Sequence, residues 1–238
     1  MGKDYRSRKG DDNVYTPYSM TEQLLENEYF DKENPVYDPA IGNGAITTVL
    51  ERYWPPDIVG GNDIKYGHDF LSDINRKLLY NVYTIITNPP YSLWNEFIEK
   101  SRKIAIKKFA FLGQLNFLNG VDRYEKKLYS PGKYNLKKLY VFTRQANLKF
   151  YDQEKEIKKA VMYCESNYAP KDINSQILKL RNDIKKKTHY PKIRIDGKYP
   201  AGAVVYAWYV FENGYSGKAE IDFINNDKYI LRSCDFKK

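Results

Sequence analysis

Apolar runs of strand length alternate with helically spaced apolar positions through the first half of the chain. This alternation predicts an α/β protein assembled from strand–helix units. Met20 to Phe30 has a helical spacing, with Leu24 and Leu25 on its inner face. Pro35 to Asp38 reads as a short buried strand that stops at an acid and a glycine turn. Ala45 to Tyr53 is the helix after it, closed by Pro55 and Pro56. Ile58 to Asp63 gives a second strand, again ending on an acid. The β-branched run Tyr83 to Thr87 gives a third, ending at Asn88-Pro89-Pro90-Tyr91. A helix over Leu93 to Lys107 would bury Phe97, Ile98, Ile104 and Ala105. Phe109 to Leu112 and Leu139 to Phe142 continue the sheet, with a helix over Val121 to Tyr129 between them.

From Tyr151 to Pro200 the regularity breaks down. Asp172 is placed to cap a helix with Ile173, Ile177, Leu180 and Ile184 along one stripe and Lys179, Arg181, Lys185 and Lys186 on the rest. Ala203 to Phe211 and Ala219 to Phe223 read as two strands joined by a hairpin-like turn over Glu212 to Gly217. The expected organisation is a single domain over residues 1–238 with an insert at 151–200.

A hydrophobic content of 42% with 16% aromatic residues suits a folded chain. No run approaches the roughly 18 apolar residues of a membrane helix. The first residues, Met1 to Asn13, are polar and charged, so a cytoplasmic protein with no membrane partner is expected. Two cysteines, Cys164 and Cys234, and two histidines, His68 and His189, offer neither a disulfide framework nor a metal cluster. The net charge of +9 is unevenly spread: residues 1–99 carry 9 basic and 16 acidic side chains, leaving 30 and 14 for residues 100–238. A basic second part suits a polyanionic partner, and equally a solvated lysine-rich surface.

Three constellations carry chemistry. Asp38-Pro39-Ala40-Ile41-Gly42-Asn43-Gly44 is a glycine turn at a strand's carboxyl end, where α/β sheets bind ligands and where glycine lets the backbone approach closely. Its leading Asp-Pro and missing third glycine set it apart from a dinucleotide fingerprint. Asp63 ends the next strand, where an acid accepts from ribose hydroxyls or simply caps a turn. Asn88-Pro89-Pro90-Tyr91 is the sharpest signal. Two prolines make a rigid turn that removes two donors, leaving the Asn88 side-chain oxygen and the Pro89 carbonyl to accept from one amino group, with an aromatic face beside them. A plain strand exit is the competing reading.

In this order the three elements resemble the amino-methyltransferases of DNA, whose motif I is Asp-Pro-x-x-Gly-x-Gly and whose motif IV is Asn-Pro-Pro-Tyr. Val14-Tyr15-Thr16-Pro17 resembles motif X, and Gly67 to Leu71 resembles motif III. Gln114 to Leu118, Arg123 and Ala207 to Phe211 are similar to the back half of small phage-type adenine enzymes, and the motif order to the gamma class. The resemblance covers residues 12–150 and 201–224. It implies a Rossmann-like class I methyltransferase fold, a seven-stranded mostly parallel sheet with helices on both faces and a basic insert.

The resemblance further implies S-adenosylmethionine as methyl donor and N6 of a flipped-out DNA adenine as acceptor. The cofactor would be held by Tyr15, Thr16, Pro17, Asp38, Pro39, Ala40, Gly42 and Gly44, with its ribose at Asp63 and its adenine between Ile64 and Phe70 beside Asp69. Asn88, Pro89, Pro90 and Tyr91 would be catalytic. Tyr206 or Trp208, unless core, would cover the base's other face. Arg123, Lys137, Lys138 and Lys185-Lys186-Lys187 would meet phosphate, the insert would read sequence, and the protein would be a monomer or weak homodimer. A host restriction companion, phage protection and regulation suit this reading equally. Three alternatives remain: an RNA amino-methyltransferase, a protein glutamine methyltransferase and a non-catalytic nucleic-acid-binding relative. The glutamine enzymes have a helical domain before motif I, and the residues before Asp38 are too few for one.

Overall fold

A computed structural model of the chain describes residues 16, 18–72, 82–126, 129, 134–143, 192–193, 205–224 and 230–231. Helix α1 (Tyr18–Asn27) precedes strand β1 (Val36–Asp38), helix α2 (Ala45–Leu50) and strand β2 (Val59–Gly61). Strand β3 (Thr84–Thr87), helix α3 (Trp94–Ile104), strand β4 (Lys108–Gln114), helix α4 (Val121–Glu125) and strand β5 (Tyr134–Phe142) follow. Strand β6 (Lys192–Ile193) lies apart from the main sheet, and strands β7 (Tyr206–Asn213), β8 (Glu220–Ile224) and β9 (Ile230–Leu231) complete the order.

The main sheet has seven strands in the order β2-β1-β3-β4-β7-β5-β8. Its neighbours pair in parallel except around β7, which runs antiparallel to β4 and to β5. The period of two along each strand sorts the core into two layers. Ile86, Ala110, Leu112, Trp208 and Val210 face α1 and α2, whereas Ile85, Phe109, Phe111, Tyr209 and Phe211 face Trp94, Phe97 and Ile98 of α3. Both faces are therefore covered, which is why β3 and β4 read as continuous apolar runs.

One expectation needs correction. Strands β7 and β8 do not form a hairpin. The chain steps past β5, so that β8 pairs in parallel with β5 on its far side, Lys138 opposite Glu220 through Phe142 opposite Ile224. A polar turn between two apolar runs looks the same in sequence whether it closes a hairpin or steps over a strand. The step is compatible with these residues because Asn135, at the start of β5, donates through Nδ2 to the Tyr215 carbonyl in the connection.

Lys137 and Lys138, expected at phosphate, stand on β5 beside carboxylates. Lys137 Nζ is 2.7 Å from Glu212, and Lys138 Nζ is 3.2 Å from Asp222. Their neighbour Lys108 is buried with Glu28, whose other oxygen accepts from the Tyr140 hydroxyl at 2.8 Å. Charges placed this deep need such partners. Among the described residues no helix is long and apolar enough to cross a membrane.

Candidate active site

Strand order reverses between β1 and β3: the chain goes from β1 outward to β2, then returns to β3 on the other side. At such a switch point the loops after the two central strands part and leave a crevice at their carboxyl ends. The glycine turn follows β1 and Asn88 follows β3, so the topology alone brings the first and third constellations together.

Side chains then tie them. Asp38 is wholly buried and accepts from Thr87 Oγ1 at 2.7 Å and from the Ala40 N–H at 3.1 Å. It thus faces inward, linking the start of the glycine turn to the residue before Asn88. Burial pushes its carboxyl up to about 7, against the opposing pull of Thr87 and the Ala40 amide. Gly42 (φ 56°) and Gly44 (φ 80°) take left-handed conformations that suit glycine, and α2 starts directly after them. Pro39 is buried, and Ala40 is half-buried.

Asp63 joins the turn to β2. One carboxylate oxygen accepts from the Gly42 N–H at 2.8 Å and the other from the Lys65 N–H at 3.0 Å, capping a 3-10 turn over Ile64–Tyr66. The cap and the cross-loop bond coexist. A carboxylate offers about four acceptor positions, so capacity for a ribose diol persists. The close approach of β2 depends on Gly61, which the sequence reading did not single out. A Cβ there would lie 2.8 Å from both the Asp38 carbonyl and the Ile41 side chain.

The residues expected around a cofactor adenine are spread more widely. Ile64 is 56% exposed. Phe70 is buried against Phe97, ring centroids 4.9 Å apart, and belongs to the core layer under α3. Asp69 opens the turn over 69–72, accepting from the Leu71 N–H at 2.9 Å. Tyr15, Pro17 and Lys185-Lys186-Lys187 lie outside the described residues, as does most of the 151–200 insert.

On the acceptor side, Asn88 donates from Nδ2 to Thr16 Oγ1 at 3.1 Å, across 72 positions of sequence. Pro89 is buried. The Pro90 carbonyl, the second that the proline pair leaves available, accepts from the Leu93 N–H at 2.9 Å and starts the turn over Tyr91–Leu93. The Tyr91 ring meets Phe117 edge-on at 5.3 Å and lies 6.4 Å from Tyr206, tilted 34°. Tyr206, at the amino end of β7 opposite Gln114, stands at the same end of the sheet but is buried in the core layer under α1 and α2. Trp208, too, is fully buried and donates to the Met20 carbonyl at 2.8 Å.

Close to Tyr91, the Trp94 indole donates to the Tyr129 hydroxyl at 2.9 Å, which donates on to the Phe117 carbonyl at 2.8 Å. Gly113 makes room for that indole, since a Cβ would meet it at 2.5 Å. Arg123 holds the adjoining excursion. It donates to Asn95 at 3.1 Å and to the Asn119 carbonyl at 2.5 Å, and covers the Phe117 ring at 5.1 Å.

No family model matches the sequence, and no curated protein matches it. Solved structures do. The chain is similar to the type IIG restriction endonuclease BpuSI, with a TM-score of 0.53 and 12% identity over 94% of this chain and 28% of that one. It is similar also to the M protein of the type I restriction enzyme EcoKI, with a TM-score of 0.51 and 12% identity over 96% and 53% of the two chains. A third is the methyltransferase subunit of a type I restriction-modification system from Streptococcus thermophilus, with a TM-score of 0.50 and 14% identity over 94% and 51%. The chain spans about half the length of the last two and under a third of the first. At such identities the likeness is one of fold, and with this mixed sheet covered on both faces the fold is the Rossmann-like one of class I methyltransferases.

Proposed function

We propose that this protein transfers a methyl group from S-adenosylmethionine to an exocyclic amino group, N6 of adenine in DNA. One observation carries the reading: the glycine turn and the Asn88–Tyr91 motif meet at the switch point, tied by the Asp38–Thr87 bond of 2.7 Å. A donor pocket and an acceptor pocket side by side are what group transfer requires.

The residues suit this cofactor. The left-handed glycines leave space against the backbone, and Asp63 keeps acceptor capacity for a ribose. When bound, S-adenosylmethionine supplies an electrophilic methyl group. The chain's own part is to orient the nucleophile. The Asn88 amide oxygen and the Pro89 carbonyl accept from the two amino hydrogens, which favours a tetrahedral nitrogen whose lone pair is freed from conjugation with the ring. As the N–C bond formed, the donor's S–C bond would break, and the nitrogen would then lose one proton to solvent. Both acceptors are fixed before the reaction, so little reorganisation opposes it. Tyr91 offers a ring face for the base.

The nucleic-acid substrate is supported by the excess of basic residues beyond position 99 and by the restriction systems to which the similar chains belong. Under this reading a DNA base leaves the stack to enter the pocket, and Lys185-Lys186-Lys187 would contribute phosphate contacts. Purified protein is given tritiated S-adenosylmethionine with duplex DNA, RNA or protein as acceptor. Label in DNA alone is expected. Label only in RNA or protein contradicts the substrate, and failure to bind the cofactor by calorimetry contradicts the whole reading.

A further inference from the structure

We propose that the outward side of α4 is a surface for bases: Val121 and Tyr124, with Leu118 before them, pack against the nucleotides beside the one that enters the acceptor pocket. The inference rests on the function proposed above and deepens it, by naming where the rest of the substrate strand is met.

Helix α4 reverses the usual order of a surface helix, which buries its apolar side chains and shows its polar ones. Its charged pair is spent on Asn95 of α3. Asn95 Nδ2 donates to Asp122 at 2.7 Å, and Arg123 Nε donates to the Asn95 side-chain oxygen at 3.1 Å. Val121 and Tyr124, three positions apart and hence on one side of the helix, are 74% and 81% exposed. Leu118, which ends the turn leading toward the helix, is 40% exposed. Such exposure gains the fold nothing, since apolar side chains stabilise only when removed from water.

The support is fixed. Arg123 also donates to the Asn119 carbonyl at 2.5 Å, and the Tyr124 N–H donates to the Gly120 carbonyl at 3.1 Å. A contact surface held this way loses little freedom when a partner arrives.

Position and chemistry name that partner. The Arg123 guanidinium covers the Phe117 ring at 5.1 Å, and that ring meets Tyr91 edge-on at 5.3 Å. Helix α4 thus stands one ring beyond the residue that offers a face to the target base. A strand delivering one base to Tyr91 brings the adjoining bases toward α4. With the target out of the stack, its neighbours have apolar faces uncovered, and aromatic or aliphatic side chains suit such faces whatever the sequence. Phosphate is a poorer match, because Lys126 already lies 3.5 Å from Asp122 and 3.9 Å from Glu99. A second copy of the chain, or a protein partner, seated on α4 would crowd the acceptor pocket and oppose entry of the substrate.

The test uses two mixed-sequence duplexes, one intact and one with a single abasic position, whose flanking bases are uncovered without any extrusion. Wild type, Tyr124→Ala and Tyr124→Phe are compared by fluorescence anisotropy. Tyr29→Ala serves as the control, an exposed tyrosine whose carbonyl meets Lys108 at the far end of β4. Wild type is expected to bind the abasic duplex about tenfold more tightly than the intact one, the effect of one stacked base. Tyr124→Phe and Tyr29→Ala should keep that preference, and Tyr124→Ala should lose it while its calorimetric Kd for S-adenosylmethionine stays unchanged. The slope of log K against log salt should be equal in all four proteins, because an apolar contact releases no counterions.

A preference undiminished in Tyr124→Ala, or lost equally in Tyr29→Ala, overturns the proposal. Wild-type dimers that Tyr124→Ala converts to monomers in sedimentation also overturn it, by giving the surface to a second copy. If wild type methylates DNA and any of these results is found, this inference alone falls. A wild type that binds neither duplex and labels only protein removes the nucleic-acid reading and the inference together.

Discussion

Asp38 has no solvent to stabilise its charge, and its folded-state carboxyl stands near 7 where the ordinary value is 3.8. An acid whose pKa is raised by folding binds its proton more tightly in the native state. Stability is therefore greatest below the unfolded value and falls as pH rises from about 4 to about 7, where the native carboxyl must ionise. The loss amounts to a few kcal/mol at most, since each tenfold gain in proton affinity on folding is worth roughly 1.4 kcal/mol. Asn in its place keeps an oxygen for Thr87 and for the Ala40 amide without the charge. Urea midpoints of Asp38→Asn should accordingly lose most of the decline that wild type shows over this range, and an equal decline in both proteins would refute the assignment. Asn88, the prolines and the glycines were legible from sequence because each is a local signal, a residue whose chemistry is peculiar at its own position. The inward turn of Asp38 and its bond to Thr87 were not, because a buried acid and a ligand-facing acid have the same letter.

At the level of elements, the close approach of the β1 and β2 loops depends on having no side chain at Gly61, where a Cβ would strike the Asp38 backbone. Backbone cannot yield as a flexible side chain does. Gly61→Ala is expected to cost about 1–3 kcal/mol of stability and to weaken S-adenosylmethionine binding, measured by chemical denaturation and calorimetry. Unchanged values would mean that the glycine turn does not need β2 at this distance.

Arg123, expected at phosphate, has its guanidinium occupied by Asn95, Asn119 and the Phe117 ring. Arg123→Gln is therefore expected to leave the salt dependence of DNA binding unchanged. Loss of a phosphate contact would instead lower the slope of log K against log salt by about 1. Periodicity found the strands and helices of the first half with ends a few residues off, as for α1, which starts at Tyr18 instead of Met20. It misread the β7–β8 connection, because sequence records which residues alternate and not which strand lies between two neighbours.

For the molecule as a whole, the fold class followed from the alternation of strands and helices together with the motif resemblance. The destination of the positive charge did not follow. Lys108, Lys137 and Lys138 counted toward a basic surface, yet they pair with Glu28, Glu212 and Asp222 in and around the sheet. Charge counts do not distinguish a cation facing a phosphate from one facing a buried carboxylate. The insert as a whole, not its phosphate-directed lysines, carries the proposal for sequence readout. Its described strand β6 pairs in parallel with β9, Lys192 opposite Ile230, so the end of the insert is joined to the chain beyond β8. Removing residues 151–190 leaves both paired segments in the chain. The shortened protein is expected to bind S-adenosylmethionine as before and to lose sequence preference on DNA, whereas lost cofactor binding would make the insert part of the core.

The central claim is that Asn88 and Pro89 present two acceptors to an adenine amino group at the mouth of the cofactor crevice. Its most direct test is the identity of the product nucleoside after tritiated methyl transfer to duplex DNA, with Asn88→Ala beside the wild type. Label in N6-methyl-2′-deoxyadenosine that disappears in Asn88→Ala is the predicted result. Label in another nucleoside, or N6-methyl-2′-deoxyadenosine formed at an undiminished rate by Asn88→Ala, would contradict the account.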